Sequence, residues 1–420
     1  MKLNIWKKKD NIILTVLVVV AAIYLVLSLL ANTNIFKPTS FAYYNNLIDS
    51  FINGRLDVIS KETLDLSFYK DKWYLYWGAG AGIYILPFYI LSGLNASDIV
   101  YTLLAGMTNI ILFHFLVRNA SRFFKLRLQM KLHVLLLLVF GLMSPNFYLS
   151  LKGGIWATNQ IVATMYLLLF LNLLFLYLLK PKKTVLLAAS LVFFHLAWLT
   201  RYTLVFYGLL YFFVLFHLIK SRIKIDKPKF ISVFLIISAV FLAGFFSYNR
   251  IRFANILETG MVYQKGVWRY DGYFQAKKIF SKTFVPHNVF HYFLRPYELT
   301  SKAPFIKFDT EGNSIFLIYP FLFALPFLLK KKILHNTTLK TFVLISLLII
   351  GLGMSVLLAN VGTGWVQFGA RYFLDSLPLI YLLLILVISS LPNVLTYGLL
   401  AYGLLVNILG TLIFYSLIRL

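Results

Sequence analysis

The sequence predicts an all-α protein, a polytopic transmembrane helical bundle of about eleven spans with juxtamembrane helices in its first outer loop. This prediction rests on the composition of the chain and on its repeated apolar segments. Hydrophobic residues make up 60% of the 420 positions, and only 13% of the residues are charged. The mean hydropathy is +0.81. Such values exclude a water-soluble globule and a disordered chain.

Apolar segments recur along the whole chain, and most approach the roughly 20 residues that a helix needs to cross hydrocarbon. They run near 12–31, 99–117, 132–151, 159–179, 184–200, 202–219, 230–248, 315–329, 341–360, 372–391 and 394–418. The first lacks a small-residue cleavage signature and is therefore expected to be a retained anchor. A further apolar run, 77–94, begins with WGAGAG and contains Pro87, which is typical of a bent, half-inserted helix.

Basic clusters predict the orientation of these segments. Five of them hold 21 of the 40 lysines and arginines, at 2–9, 118–131, 180–183, 220–229 and 330–340. The positive-inside rule makes all five cytoplasmic. A crossing at 77–94 would force the second and later clusters outside, so we expect that run to be interfacial or re-entrant. The net charge of +26 thus reports orientation in a membrane and not nucleic-acid binding.

We therefore expect a multi-pass plasma-membrane protein with a cytoplasmic N-terminus and a working face outside the cytoplasm. Residues 1–420 would form a single membrane domain with a first outer loop at 32–98 and a long outer loop at 249–314. Shorter outer stretches would be 144–159 and 360–371. The first loop alone holds six of the fourteen acids. Carboxylates are costly near hydrocarbon unless they are paired, hydrated or used, so the outer face is predicted to be functional.

Residues 43–56 have the pattern of an amphipathic helix in the first loop. Asn45, Asp49 and Asn53 recur at four-residue spacing on one side. This polar side either faces a cavity or is the solvated side of a surface helix.

Asp49 is the first candidate for a catalytic base, because partial desolvation raises the basicity of a carboxylate. Asp57 and Asp65 are its rivals. The alternative is that each acid only neutralises a nearby cation. Those cations are Arg55, Lys61 and Lys72.

Arginines near the outer stretches are candidates for binding a lipid phosphate or pyrophosphate, because guanidinium groups bind phosphate bidentately. Arg371 lies in the polar turn GTGWVQFGARYF, Arg201 in LTRYT, and Arg250 and Arg252 in SYNRIRFANILETG. The alternative is snorkelling to lipid headgroups, which suits Arg250 and Arg252 better than Arg371. Further candidate substrate contacts are Tyr44, Asn45, Arg55, Asn249, Gln264 and Tyr372.

Five motifs in succession resemble the GT-C class of integral membrane glycosyltransferases, near the bacterial relatives of the protein O-mannosyltransferase and aminoarabinose transferase group. They are YYNNLIDSFINGRL, FYKDKWYLYWGAGAGIYILPFYILSG, LTRYT, YNRIRFANILETG and GWVQFGARYFLDSLPLIYLLL. Their order covers nearly the whole chain. The protein-mannosyltransferase branch carries an adjacent Asp-Glu pair in the first loop, where this chain has the four residues YYNN.

The resemblance implies a polyprenyl-phosphate-linked sugar as donor, an acid in the first outer loop as base, and arginines near the donor phosphate. Carried over to this sequence, Asp49 would be the base, and Arg371 with Tyr372 would contact the phosphate. Arg201 and residues 249–253 would line the cavity. Juxtamembrane helices in the first loop are implied as well.

The resulting hypothesis is inverting sugar transfer outside the cytoplasm, from the lipid-linked donor to a glycan, lipid or protein acceptor. Membrane lipids are the other expected partners, and no nucleic-acid motif is present. No cofactor is firmly implied; the seven histidines show no metal-ligand spacing and there is no cysteine, although a divalent metal is compatible with the chemistry. The alternatives are a flippase or transporter of lipid-linked saccharides and a polymerase or ligase of surface polysaccharide.

Overall fold

A computed structural model of the chain describes residues 2–222, 226–266 and 270–417. It confirms the prediction of a helical, polytopic membrane protein. The helices are α1 Lys2–Ala31, α2 Tyr43–Ile52, α3 Ala81–Ser92, α4 Asp98–Phe123, α5 Met130–Leu142, α6 Pro145–Leu149, α7 Ile155–Leu179, α8 Thr184–Thr200, α9 Leu210–Lys220, α10 Lys227–Phe253, α11 Asp271–Gln275, α12 Val285–Val289, α13 Ile315–Ile318, α14 Lys331–His335, α15 Thr337–Ala359, α16 Leu377–Val387 and α17 Asn393–Phe414. The strands are β1 Ser67–Tyr69, β2 Lys72–Tyr74, β3 Glu298–Leu299 and β4 Ile306–Lys307.

Seven helices of the described residues are long and apolar enough to cross a membrane. They are Asp10–Ala31, Asp98–Phe123, Ile155–Leu179, Tyr202–Lys220, Pro228–Phe253, Thr337–Ala359 and Asn393–Phe414. The other four predicted segments are apolar helices of 10–17 residues. The centre of the fourth basic cluster, 223–225, and the end of the last segment, from 418 on, lie outside the described residues.

Prolines explain why two of these four segments are interrupted. The segment near 132–151 is divided at Pro145, which opens the separate helix α6. The segment near 315–329 continues from α13 as a 3₁₀-helix, Pro320–Leu329, with Pro326 inside it. Proline removes a backbone donor and clashes with the preceding turn, so it ends or tightens a helix at these points.

The apolar run at 77–94 forms α3 and a following 3₁₀ turn, which together span Ala81–Asn95. Pro87 lies inside the helix. The element belongs to the shorter class of 10–17 residues, below the length of about 20 residues that a full crossing needs. Its length agrees with an interfacial or re-entrant helix.

Helix α7 is the centre of the bundle. It is the most buried of the long helices and packs against α4 and α8, whereas α10 is almost entirely exposed on the outside. Amide pairs fasten the inner helices: the Asn109 side chain donates to Asn146 at 2.8 Å, and the Asn119 side chain donates to Asn172 at 2.9 Å. Side-chain amides commonly join helices in this way where no water is available to bind them.

The first outer loop contains the predicted juxtamembrane helices α2 and α3, joined by the antiparallel hairpin β1–β2. The polar side of α2 is buried at Asn45 and exposed at its C-cap residue, Asn53. Asn45 is buried and donates to the backbone carbonyls of Leu94 and Ala96 at 3.2 and 2.7 Å. Tyr44 is buried as well, donating to the Gly78 carbonyl at 2.9 Å. These two side chains therefore anchor the loop and do not line the cavity described below.

The WGAGAG motif brings the loop backbone against the end of α8. The Gly80 amide donates to the Leu199 carbonyl at 3.1 Å. A Cβ atom on Gly78 would lie 2.0 Å from the Leu199 carbonyl oxygen. Only glycine permits so close a backbone approach at this point.

The long outer loop pairs with the first. Ser67 forms a bridge with Gln264, and the Asp65 amide donates to the Lys265 carbonyl at 3.2 Å. On its other side the long loop meets the stretch after α15, where the Val361 amide donates to the Ile279 carbonyl at 2.8 Å. These backbone contacts join three of the four predicted outer stretches into one structure.

Candidate functional site

All four predicted outer stretches meet around one cavity of about 740 Å³. The first loop contributes Asp65 and Tyr76, the stretch at 144–159 contributes Trp156, the long loop contributes Gln264, and the late stretch contributes Arg371. Residues at the end of α17 close one side. The cavity is thus built from segments more than three hundred positions apart, which the loop pairing described above brings together.

Asp65 is the carboxylate of this cavity. Its backbone has a φ of 63°, in the left-handed region that aspartate tolerates better than most residues. The Trp156 indole donates to its Oδ2 atom at 2.6 Å, and the Gln264 amide donates to Oδ1. Burial raises the pKa of Asp65, while these two hydrogen bonds and the Arg371 charge oppose the rise. A carboxylate in this state is a better proton acceptor than an exposed aspartate.

Arg371 is the buried cation among the described residues that line the cavity, whereas the other cation, Lys152, is exposed. The residue is only 8% exposed, and its buried Nε atom has no hydrogen-bond partner among the described residues. No carboxylate of the described residues forms an ion pair with it. The main chain is held instead, since its amide donates to Gln367 at 3.0 Å and its carbonyl accepts from Gln160 at 2.9 Å. A buried guanidinium without a counter-ion is costly unless an anion binds there.

The Tyr372 ring is a contact shared by the side chains of Arg371 and Arg201. Both guanidinium carbons face the Tyr372 ring, at 5.1 Å for Arg371 and 4.8 Å for Arg201. Tyr372 lines the cavity, but Arg201 does not. Arg201 instead forms a buried ion pair with Asp375, with its Nε atom at 2.5 and 2.6 Å from the two carboxylate oxygens. Its charge is therefore neutralised within the protein.

The structure does not bring Asp49 and Asp57 into the cavity. Asp49 faces Arg55 at 3.4 Å and accepts a hydrogen bond from the Tyr89 hydroxyl at 2.8 Å. Asp57 lies 3.9 Å from the Lys72 ammonium group. Each of these acids therefore neutralises a nearby cation, as the alternative to a catalytic role predicts. Arg55 is the counter-ion of Asp49.

The segment at the end of α10 also lies away from the cavity lining. Arg252 is buried between loop and helix, donating to the Leu75 carbonyl at 2.8 Å and to the Asn249 side chain at 3.0 Å. Arg250 is exposed and donates to the Ala254 carbonyl at 2.5 Å. Arg252 and Asn249 thus hold the first loop on α10.

Trp156 and Tyr76 are among the lining residues that are not predicted from the sequence. Trp156 donates to Asp65, and the Tyr76 hydroxyl accepts from Gln264 at 3.3 Å. Both lie in stretches that are predicted to lie outside the membrane, in LKGGIWATN and KWYLYWG. An indole or phenol beside glycines in such a stretch is a signal for a lined cavity, but aromatic residues are too frequent in this chain for it to be selective.

A second group of polar side chains lies in the long loop. The potential ligand atoms of His287, His291 and Glu311 all lie within 4.8 Å of one another. The seven histidines are not predicted to bind metal, yet His287 and His291 are four residues apart on consecutive helical turns. The group is not evident in the sequence because Glu311 joins the two histidines only through the fold. This is a candidate metal-binding group.

No family model and no curated protein sequence matches the chain. Solved structures do. The oligosaccharyltransferase AglB from Archaeoglobus fulgidus, in complex with an inhibitory peptide and a dolichol-phosphate, matches 97% of this chain and 56% of its own, with a TM-score of 0.53 and 15% identity. The apo form of the Archaeoglobus fulgidus oligosaccharyltransferase matches 96% and 55%, with a TM-score of 0.50 and 16% identity.

ArnT from Cupriavidus metallidurans bound to undecaprenyl phosphate matches 92% of this chain and 62% of its own, with a TM-score of 0.47 and 12% identity. The chain spans little more than half the length of the archaeal enzyme. The chain therefore shares the fold of the archaeal oligosaccharyltransferase, a membrane protein of the kind that the succession of motifs predicts.

Proposed function

We propose that this protein transfers a sugar from a polyprenyl-phosphate donor to an acceptor outside the cytoplasm. The observation that carries the proposal is the pairing, in one cavity, of a partly buried carboxylate with a raised pKa and a buried guanidinium that forms no ion pair with any described carboxylate. Glycosyl transfer from a lipid phosphate needs both groups: a base for the acceptor and a positive charge for the departing phosphate. The fold shared with lipid-linked sugar transferases supports the same reading.

In the proposed reaction Asp65 accepts the proton of the acceptor hydroxyl. The acceptor oxygen attacks the anomeric carbon from the face opposite the phosphate, and a new glycosidic bond forms with inverted configuration. The bond between the anomeric carbon and the phosphate oxygen breaks, and its electron pair leaves on that oxygen. Arg371 stabilises the resulting polyprenyl phosphate, with Tyr372 packed against its guanidinium group.

Trp156 and Gln264 are positioning residues in this proposal. Each donates one hydrogen bond to a different oxygen of Asp65. The carboxylate keeps a second lone pair on each oxygen for an incoming hydroxyl. Holding a base in one orientation removes much of the entropic cost of bringing it to its substrate.

The experiment compares matched substitutions in purified, reconstituted protein. Labelled polyprenyl-phosphate sugars are supplied as a panel of donors, with membranes of a host lacking the gene as the acceptor source. Release of unglycosylated polyprenyl phosphate is measured together with incorporation of labelled sugar. We expect Asp65→Asn to slow turnover by about 10²-fold or more, the usual contribution of a general base. Arg371→Ala should slow it by about 10²- to 10³-fold, as loss of a charge-stabilising donor does.

The controls carry the same chemical changes outside the cavity. Asp57→Asn and Arg250→Ala remove a weak or exposed partner and should leave turnover within about twofold. Turnover by the Asp65 and Arg371 variants that equals turnover by the unmodified protein would contradict the assigned roles. Donor binding without any release of lipid phosphate by the intact protein would instead favour the carrier alternative.

A further inference from the structure

The long outer loop holds two histidines on one face of a short helical element. His287 lies in α12, and His291 lies in the π-helical turn Phe290–Leu294 that follows it directly. Their ring centroids are 4.5 Å apart. Residues four positions apart on a helix point in the same direction, so both imidazoles are presented to the same neighbour.

That neighbour is Glu311, near the end of the loop. Its Oε2 atom lies 2.9 Å from the Nε2 atom of His287. The Thr363 hydroxyl donates to the same oxygen at 3.3 Å, and the glutamate side chain is mostly buried. The carboxylate is therefore held in place against the two rings.

The three side chains differ in their contact with solvent. His291 has a buried Nδ1 atom with no hydrogen-bond partner among the described residues. The His287 side chain is 49% exposed. A bound ion would therefore have an internal ligand, an outer ligand and an open path from solvent, which a metal site requires.

We propose that His287, His291 and Glu311 form a binding site for a divalent transition-metal ion of the Zn²⁺ type. Two imidazole nitrogens and one carboxylate oxygen are the donor set that suits this ion. Their ligand atoms already lie within 4.8 Å of one another, so an ion can contact all three after small side-chain movements. The open side leaves room for a water molecule as a fourth ligand.

The site lies beside the wall of the cavity and is not part of its lining as the described residues define it. Glu311 is joined to that wall through Gln367, whose amide nitrogen donates to the Glu311 carbonyl at 2.8 Å. The Gln367 side-chain oxygen accepts from the Arg371 amide at 3.0 Å. The metal would therefore hold together the two parts of the long loop that carry His287 with His291 and Glu311, and so act on the position of the Arg371 stretch only through Gln367.

Metal binding is measured on the full-length protein in detergent, after removal of metal with a chelator and dialysis. Zn²⁺ is titrated against a competing colorimetric chelator, and bound zinc is counted by mass spectrometry. We expect one high-affinity Zn²⁺ per chain. His287→Gln is the first variant because its side chain is half exposed and should be replaceable without unfolding. It should weaken binding by about tenfold or more, since even loss of an outer-shell contact has effects of that size.

His291→Gln is the second variant, and His335→Gln is the matched control, because His335 is exposed and contacts only the Lys331 carbonyl among the described residues. We expect the control to bind zinc like the unmodified protein. Zinc should also raise the apparent melting temperature of the unmodified protein and of the control, but not of the His287 and His291 variants. Equal zinc content in all four proteins, or none in the unmodified protein, would overturn the proposal.

No sugar donor is present in these measurements, so their outcome does not depend on the proposed glycosyl transfer. A protein that binds zinc but transfers no sugar would contradict only the proposed function. A protein that transfers sugar with no zinc site would contradict only the metal proposal.

Discussion

Asp65 illustrates how a partly buried carboxylate can remain available for proton transfer. Removal of a carboxylate from water favours its protonated form, and here that effect is the largest of those acting on it. Two side-chain donors and the charge of Arg371 act in the opposite direction. The pKa of the carboxyl group is therefore higher than that of an exposed aspartate. A higher pKa suits a group that must accept a proton.

The raised pKa predicts a specific pH dependence. The base acts only when ionised, so activity should fall as the pH drops through the pKa of Asp65, at a pH above the ordinary aspartate value of 3.8. Trp156→Phe removes one of the hydrogen bonds that lower this pKa and should move the acidic limb to higher pH. The measurement is the pH profile of kcat/KM for both proteins. An acidic limb unchanged by Trp156→Phe would contradict the role given to Asp65.

At the scale of elements, the WGAGAG stretch determines how the first loop sits on α8. Gly78 lies where a Cβ atom would meet a backbone carbonyl oxygen at 2.0 Å, and backbone cannot yield as a side chain can. In Gly82, four residues on, the same atom would meet only a side-chain carbon at 3.8 Å. Gly78 and Gly82, two of the three glycines in this motif, thus have different structural roles.

Substitution of each glycine by alanine tests this difference. Gly78→Ala should displace the loop and destabilise the protein by at least about 1–3 kcal/mol, the usual cost of overpacking. Gly82→Ala should be neutral or slightly stabilising, because alanine is favoured over glycine inside a helix. Apparent melting temperatures in detergent are compared for the two variants. Equal melting temperatures would show that the close approach at Gly78 is not needed.

The positions of the helices can be predicted from the sequence more fully than the side of each helix that becomes buried. Hydrophobic length and the basic clusters predict the helices and the four polar stretches, because both signals are local. Which side of α2 is covered depends on distant residues, so the four-residue spacing could not distinguish buried Asn45 from exposed Asn53 or from Asp49 beside Arg55.

The same limit applies to the cavity. Arg371, Tyr372 and Gln264, which the sequence offers as candidate substrate contacts, line it, and so does Asp65, which the sequence offers only as a rival to Asp49. Asp65 could not be preferred beforehand, because its partners Trp156 and Gln264 are 91 and 199 positions away. Arg201 shows the converse case: its buried counter-ion, Asp375, is 174 positions away.

At the scale of the whole molecule, the four polar stretches that the basic clusters predict on one side of the membrane converge on one cavity. We therefore propose that the cavity opens outside the cytoplasm and the N-terminus lies inside. The chain contains no cysteine, so single cysteines can be introduced without background. Lys302 lies in the long loop and Lys182 in a basic cluster, and both are exposed.

Cysteine labelling tests this orientation. Lys302→Cys should react with a membrane-impermeant maleimide on intact cells. Lys182→Cys should react only after the membrane is permeabilised. Labelling of Lys182→Cys on intact cells, with Lys302→Cys protected, would place the cavity on the cytoplasmic side and contradict the proposed topology.

We propose that Arg371 binds the lipid phosphate while Asp65 acts in the chemical step. The most direct measurement is equilibrium binding of polyprenyl phosphate to the reconstituted protein, set beside turnover for the same variants. Arg371→Ala should lose both binding and turnover, whereas Asp65→Asn should bind polyprenyl phosphate as well as the unmodified protein and fail only in turnover. Undiminished binding by Arg371→Ala, with Arg250→Ala as the exposed control, would contradict the account.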